Sequence, residues 1–310
     1  MDVRGCSERI LMRLPDWLRR SKDLQALRGL KLKLRHGGLS TVCEEARCPN
    51  IAECFCRPTA TFLLLGDVCT RSCRFCAVHK GTPSPLDVEE PSQVAKTARD
   101  IGLTHVVLTS VTRDDLPDKG ARGFASALSE IGKLLPAATR EVLTPDFTGR
   151  RDLLETVLEE RPDVFGHNVE TVGRLYESIR PGASLERSLS LLRLARDISR
   201  DVIVKSGFMV GLGESEEEIE DLLSRLRDAG CDCVTIGQYL QPTRAQIPVS
   251  AYWEPRRFEA WSELAKSTGI RYVVAGPLVR SSYHSKEVLE EIRASLDAST
   301  SACTKEWSWT

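Results

Sequence analysis

Cysteines 69, 73 and 76 follow directly on the apolar run Thr61–Leu65, in the spacing Cys-x3-Cys-x2-Cys. Three thiolates on one short loop can hold three irons of a 4Fe–4S cube and leave the fourth iron without a protein ligand. An open iron is a place for a small molecule to chelate. A zinc knuckle is the competing explanation. Structural zinc takes four protein ligands, and His79 is the nearest candidate for the fourth. A second triplet, Cys43-x4-Cys48-x5-Cys54, lies just upstream. Buried structural cysteines are common, but packing does not arrange them as two spaced sets of three. Disulfides are disfavoured, because the start from Met1 to Arg9 is polar and no apolar segment follows that would read as a secretory signal. Reduced thiols point to metal or catalytic use. The other cysteines are Cys6, Cys56, Cys231, Cys233 and Cys303. Cys231-x-Cys233 lies in a strand-like run and reads as small apolar side chains.

Elements able to position these groups alternate along the chain. Strands are expected at Thr61–Leu65, His105–Thr109, Glu141–Thr144, Val164–Gly166, Val202–Lys205 and Cys233–Ile236. Between them lie helical stretches at Ser92–Ile101, Gly123–Leu135, Arg151–Glu160, Leu185–Ile198 and Ser215–Ala229. Strands apolar through their length suit a parallel sheet covered on both faces, and alternation with helices gives successive βα units. Six units suit an α/β architecture, a partial (β/α)6 barrel related to the full eight-unit barrel. Pro255–Thr268 and Tyr272–Ala275 add one more helix and strand. The expected organisation is an N-terminal extension over 1–58, a core over 59–250 and a C-terminal extension over 251–310.

Active sites of such barrels lie at the C-terminal ends of the strands. The cysteine loop follows the first strand. Arg113, Asp114 and Asp115 follow the second, and His167, Asn168 and Glu170 follow the fourth. Lys205 ends the fifth, and Gln238, Tyr239 and Gln241 follow the sixth. Gly211-Leu-Gly-Glu214 lacks dinucleotide-fingerprint spacing and reads as a tight strand-to-helix turn. The charge balance is near neutral, 43 Lys+Arg against 44 Asp+Glu. That speaks against a dedicated nucleic-acid binder. No apolar run approaches the roughly 20 residues of a spanning helix, so a soluble, cytoplasmic protein without membrane association is expected. The stretch from Arg19 to Arg35 is basic. A solvated face explains it; the sharper alternative is a docking arm for an acidic carrier.

Cys69-Thr-Arg-Ser-Cys-Arg-Phe-Cys76 resembles the signature of radical-SAM enzymes, whose open iron binds S-adenosylmethionine (SAM). From about Leu14 to His284 the chain is similar to the lipoyl synthases. The similarity is carried by Val42-Cys-Glu-Glu-Ala-Arg-Cys-Pro-Asn-Ile-Ala-Glu-Cys54, Thr59-Ala-Thr-Phe, Arg113-Asp-Asp-Leu-Pro, Val142-Leu-Thr-Pro-Asp-Phe, His167-Asn-Val-Glu-Thr-Val, Arg180-Pro-Gly-Ala and Arg280-Ser-Ser-Tyr. Pro58, Gly166, Gly173 and Gln246 stand where that family often has Gly, Asn, Pro and His. None is at a cluster ligand.

The resemblance implies a radical-SAM barrel and a sulfurtransferase that inserts two sulfurs at carbons 6 and 8 of an octanoyl-lysine. It implies two 4Fe–4S clusters. One is held by Cys69, Cys73 and Cys76 and cleaves SAM to an adenosyl radical. The other is held by Cys43, Cys48, Cys54 and a serine, Ser282 with Ser281 as the alternative, and supplies the sulfur. Asn168, Glu170 and Lys205 are the expected SAM contacts. Unactivated C–H bonds offer no acid for a general base, so no protein acid–base pair is required. The implied partners are octanoylated lipoyl carrier proteins, namely lipoyl domains of 2-oxoacid dehydrogenases and the glycine cleavage H protein. A reductant such as flavodoxin or ferredoxin and an iron–sulfur carrier for cluster repair are also implied. A tRNA methylthiotransferase needs a basic RNA-binding module that the near-neutral balance does not suggest. A biotin-synthase-like enzyme is not expected to carry this N-terminal triplet, and a simple zinc or iron–sulfur module has no use for the polar barrel mouth.

Overall fold

Runs of buried Val, Ile, Leu and Phe build the main sheet. A computed structural model describes residues 14–19, 40–41, 45, 48, 50 and 59–303. In chain order its strands are β1 (Ser40–Thr41), β2 (Thr59–Leu64), β3 (Val68–Cys69), β4 (His79–Lys80), β5 (His105–Ser110), β6 (Thr139–Leu143), β7 (Val164–Gly166), β8 (Ile203–Val210), β9 (Cys233–Gln238) and β10 (Tyr272–Gly276). Eight of them form one sheet in the order β1-β2-β5-β6-β7-β8-β9-β10, and β3 and β4 form a separate two-stranded ladder. The seven strands from β2 to β10 in that sheet are mutually parallel, and only β1 runs antiparallel to its neighbour. Among the described residues no pairing joins β1 to β10, so the barrel is partial.

Parallel neighbours require crossovers, which the helices supply. These are α1 (Glu90–Asp100), α2 (Ala121–Leu134), α3 (Arg151–Leu158), the single turn α4 (Tyr176–Ile179), α5 (Leu185–Ile198), α6 (Glu216–Asp228), α7 (Pro255–Ser267) and α8 (Ser285–Cys303). Helix α6 shows why such segments become helical. Ile219, Leu222, Leu223 and Leu226 fall on one buried stripe, and Ser215 and Glu218 close a capping box at its start. Phe62, Leu108, Val142, Phe165, Val204 and Ile236 from the sheet meet Leu128, Leu154, Leu192 and Leu222 from the helices in one core. Each such side chain contributes about 1.5–3 kcal/mol by leaving water.

Strand β8 runs to Val210, five residues past Lys205, where the spacing predicts its end. Phe208 and Val210 are buried β-formers that extend it. Gly207 fits because it has no side chain: a Cβ there would lie 2.3 Å from the Thr235 hydroxyl. Strand β10 pairs with β9, so the last strand is continuous with the core sheet. Helix α8, which has no counterpart among the expected elements, places Leu289 and Ile292 against Val164, Ile203 and Cys233.

Between β10 and α8 the chain crosses the end of β9 at Gly237. A Cβ on Gly237 would lie 2.2 Å from the Val279 carbonyl oxygen, a backbone atom that cannot yield cheaply. Gly237→Ala is therefore expected to destabilise the fold by roughly 2 kcal/mol, read as a lower urea midpoint. An unchanged midpoint would show that segment 278–280 moves aside freely.

Candidate active site

The loop carrying Cys69, Cys73 and Cys76 leaves β2 and is held by three neighbouring loops. Thr70 donates its backbone N–H to the Thr112 carbonyl at 3.0 Å, and Ile247 N–H donates to the Arg74 carbonyl at 3.1 Å. Arg74 N–H donates to the Ile179 carbonyl at 2.8 Å. Gln246 Nε2 donates to the Cys76 carbonyl at 3.2 Å. The β3–β4 ladder closes the base of the loop.

Arg71, between the first two cysteines, anchors the loop to the strand ends. It makes a bidentate pair with Asp114 at 2.7 and 3.0 Å and donates to buried Asp146 at 2.6 Å. Asp146 also accepts from Arg187 and from the Thr148 N–H. Burial works against the charged Asp146 carboxylate, but the Arg71 guanidinium outweighs it and holds the carboxyl well below the usual range. The other mouth residues are also structural. Arg113 pairs with Asp115 and donates to the Leu65 carbonyl. Gln238 bonds the Val210 and Ala251 carbonyls, the Tyr239 hydroxyl donates to the Ile247 carbonyl, and Gln241 donates to the Gln246 carbonyl.

All three loop cysteines are free thiols lining one cavity of about 180 Å³ at the strand ends. Arg71, His167, Asn168, Glu170 and Arg180 share its wall, with Leu63, Val111, Leu143 and Pro145 supplying apolar surface. Cys69 Sγ accepts N–H bonds from Arg71 at 3.4 Å and Thr112 at 3.3 Å. Burial raises the Cys73 thiol, and the Arg180 guanidinium pulls the other way. Burial likewise pushes Cys76 up to about 11, opposed by a backbone N–H bond from Val78. Three thiols around a hollow, with backbone donors and a cation aimed at sulfur, form a donor set suited to an iron–sulfur cluster. Among the described residues no three Cys, His, Asp or Glu side chains converge closely enough to hold a single ion, and His79 is exposed on β4.

Asn168 and Glu170, two of the three residues the resemblance assigns to SAM, line this cavity. Glu170 adopts the left-handed region with φ 66°, where a non-glycine residue is strained. Two backbone bonds to β8 hold it there: its N–H donates to the Gly207 carbonyl, and it accepts from Met209 N–H. Lys205 is not in the cavity wall. The extra length of β8 places it deeper in the barrel, where it pairs with buried Glu141 at 2.9 Å. Burial opposes the Glu141 carboxylate, but Lys205 and His105 hold it below its ordinary value.

Arg180 is a cavity residue to which the sequence assigns no role. Its Nη1 is spent on the Asn168 and Val169 carbonyls and the Tyr176 hydroxyl, while its buried Nε has no hydrogen-bond partner among the described residues. Arg71 and Asp146 were equally silent. Both sit in the motifs that carry the resemblance, but their contact spans 75 residues and no local spacing announces it.

His167 reads as satisfied scaffolding. Its Nδ1 donates to the Thr144 carbonyl at 2.8 Å, and Nε2 accepts from Ser188 at 3.0 Å. Burial first, then Arg180, lowers its pKa to about 4. Above the unfolded-state value of about 6.5 the group contributes no pH dependence. As pH falls from there toward 4, the unfolded chain binds a proton that the fold refuses, which removes roughly 3 kcal/mol by pH 4. The melting temperature of the cluster-free protein is expected to fall over that window, with a shallower slope in His167→Gln. Equal slopes would remove His167 as the cause.

The C-terminal motif reaches the same mouth. Asn168 Nδ2 donates to the Ser281 hydroxyl at 2.6 Å, and Tyr283 N–H closes the turn onto the Arg280 carbonyl at 2.9 Å. Among the described residues the Ser282 hydroxyl has no hydrogen-bond partner. Burial depresses the Arg280 guanidinium, with Cys48 and Glu170 acting in the opposite sense, so Arg280 faces both. Asn50 Nδ2 donates to the Leu278 carbonyl at 2.6 Å across 228 residues of chain. Cys48 is thus placed beside the motif. Cys43 and Cys54 lie outside the described residues, as do residues 20–35 of the basic stretch.

A family profile described as the radical SAM superfamily matches residues 63–237. The chain is 51% identical over 273 residues to a lipoyl synthase of Caldanaerobacter subterraneus subsp. tengcongensis, covering 88% of this chain and 96% of that one. It is 51% identical over 280 residues to a lipoyl synthase of Rubrobacter xylanophilus, covering 90% and 87%. Among solved structures it is similar in fold to methylornithine synthase (PylB), with a TM-score of 0.53 at 16% identity, covering 81% of this chain and 84% of that one.

Proposed function

The chain belongs to the lipoyl synthase family of the radical-SAM superfamily, and from that premise we propose how its residues divide the reaction. It is a radical-SAM sulfur-inserting enzyme acting on octanoylated lipoyl-carrier substrates. Cys69, Cys73 and Cys76 would hold a 4Fe–4S cluster able to bind SAM. Cys43, Cys48, Cys54 and Ser282 hold a second one. Bound there, the clusters and SAM supply an adenosyl radical that takes hydrogen from carbons 6 and 8, and the sulfur that replaces it.

The chain's own groups bind and orient. Asn168 and Glu170 suit the SAM amine, and the Arg180 guanidinium in the cavity wall suits its carboxylate. Arg71 holds the cysteine loop against Asp114 and Asp146. Leu63, Val111, Leu143 and Pro145 exclude water from the cavity wall. Ser282 is favoured over Ser281 as the oxygen ligand because Asn168 already occupies the Ser281 hydroxyl. A serine oxygen is harder and more readily displaced than a thiolate, as suits a cluster that surrenders sulfur.

The observation that supports this reading is the meeting of two distant segments near the cavity: Asn50 bonds Leu278 and Cys48 lies near Arg280, while Ser281 of the same motif bonds Asn168 of the cavity wall. No helix of the described residues is long and apolar enough to cross a membrane. A cytoplasmic location, a flavodoxin or ferredoxin reductant and an iron–sulfur carrier for repair complete the proposal.

Anaerobic reconstitution with SAM, a strong reductant and an octanoyl-lysine carrier peptide tests it. Mass spectrometry is expected to show two sulfurs gained per peptide, with adenosyl cleavage products. SAM cleavage with an unchanged peptide would retain the radical core but refute this sulfur acceptor.

A further inference from the structure

Below the cavity, toward the N-terminal ends of the strands, a second polar cluster is buried in the barrel. His105, Glu141, Lys205 and Ser285 are all nearly inaccessible to water. His105 comes from β5, Glu141 from β6, Lys205 from β8 and Ser285 from the first position of α8. None lines the cavity. Buried polar groups in an apolar surround are costly unless each is satisfied.

Short contacts join the cluster, and Glu141 Oε2 is its one acceptor without a hydrogen bond among the described residues. Lys205 donates to Glu141 Oε1 at 2.9 Å. Glu141 Oε2 lies 3.4 Å from His105 Nε2. Ser285 Oγ lies 3.1 Å from the same Nε2 and donates to the Ser282 carbonyl at 3.3 Å. A hydroxyl has one proton. With that proton on the Ser282 carbonyl, the Ser285 oxygen accepts from His105 Nε2; with it on Nε2, the imidazole proton sits on Nδ1, 2.6 Å from the Thr139 hydroxyl, which donates to the Thr104 carbonyl at 3.4 Å. In either tautomer His105 bonds the Ser285 oxygen.

We propose that His105 and Ser285 are positioning residues that fix the turn carrying Ser282, so that its hydroxyl is presented to the auxiliary cluster. The proposal rests on the assignment of Ser282 as an iron ligand. The turn is pinned from above by Asn168 on Ser281 and from beside by the close approach of Val279 to Gly237. Ser285 holds it from below, and His105 fixes the Ser285 hydroxyl. A ligand oxygen needs this, because placement errors well under 1 Å lose the bond to metal.

The test uses full-length protein carrying Cys73→Ala, so that reduced spectra report the auxiliary cluster alone. Ser285→Ala is expected to speed amide hydrogen exchange over residues 280–288 of the cluster-free protein by about tenfold. It should also shift the electron paramagnetic resonance spectrum of the reconstituted protein. Ser285→Thr, which keeps the hydroxyl, restores both. Where the alanine variant fails to fold, Ser285→Cys serves the same comparison, its thiol being the weaker donor. Unchanged exchange and spectrum in Ser285→Ala, with Ser282→Ala still altering the spectrum, overturns the positioning pair alone. A spectrum untouched by Ser282→Ala overturns the ligand assignment, and the role of the pair with it.

Discussion

Cys73→Ala is expected to reduce SAM cleavage at least roughly a thousandfold, to the level of cluster-free protein, the scale on which loss of a chemistry-bearing group is felt. In the proposed assignment three thiols serve three irons, and no fourth described cysteine is in the cavity wall to replace Cys73. The fold should survive. Cys73 is only partly buried, and the loop keeps Arg71 on Asp114 and Asp146, Thr70 on Thr112 and Gln246 on Cys76. The loss is therefore read in 5′-deoxyadenosine formation and in iron content, with the melting temperature as control. Cleavage persisting at parental rate would place SAM elsewhere.

Cys48→Ala should separate the two halves of the reaction. Cys48 stands near Arg280 and is not among the residues that line the cavity of Cys69, Cys73 and Cys76. Its removal is expected to leave SAM cleavage within about twofold of the parent, as for a change outside the cleaving site, while no sulfur reaches the octanoyl peptide. Iron should fall by the share of one cluster. Mass spectrometry reads the outcome directly, and a peptide carrying two sulfurs would sink the assignment of the upstream triplet as the sulfur source. Together the two variants show opposite patterns, which general misfolding cannot produce.

By itself the sequence determined what short spacing and periodicity encode. Cys69, Cys73 and Cys76 lie within eight residues, so their convergence on one cavity is a local property of the loop. The parallel strands and their covering helices were legible because each is a continuous run with its own pattern, as in Val106–Leu108 or Ile219–Leu226. The family resemblance marked Asn168, Glu170 and Arg280-Ser-Ser-Tyr283 as residues of interest without placing them together. Only the tertiary structure decided which charge meets which. Lys205 is a cation in β8, and Arg180 is a cation just after the turn α4. The continuation of β8 to Val210 sinks Lys205 onto Glu141, whereas Arg180 rises into the cavity beside Cys73. Arg71 finds Asp146 across 75 residues, and Asn50 finds Leu278 across 228. Helix α8 and the two-residue strand at Ser40–Thr41 were likewise decided by what they pack on or pair with. The physical reason is common to all of these. A side chain's partner is set by strand register and by which faces share the closed interior, and neither is written in any stretch of chain short enough to carry a pattern.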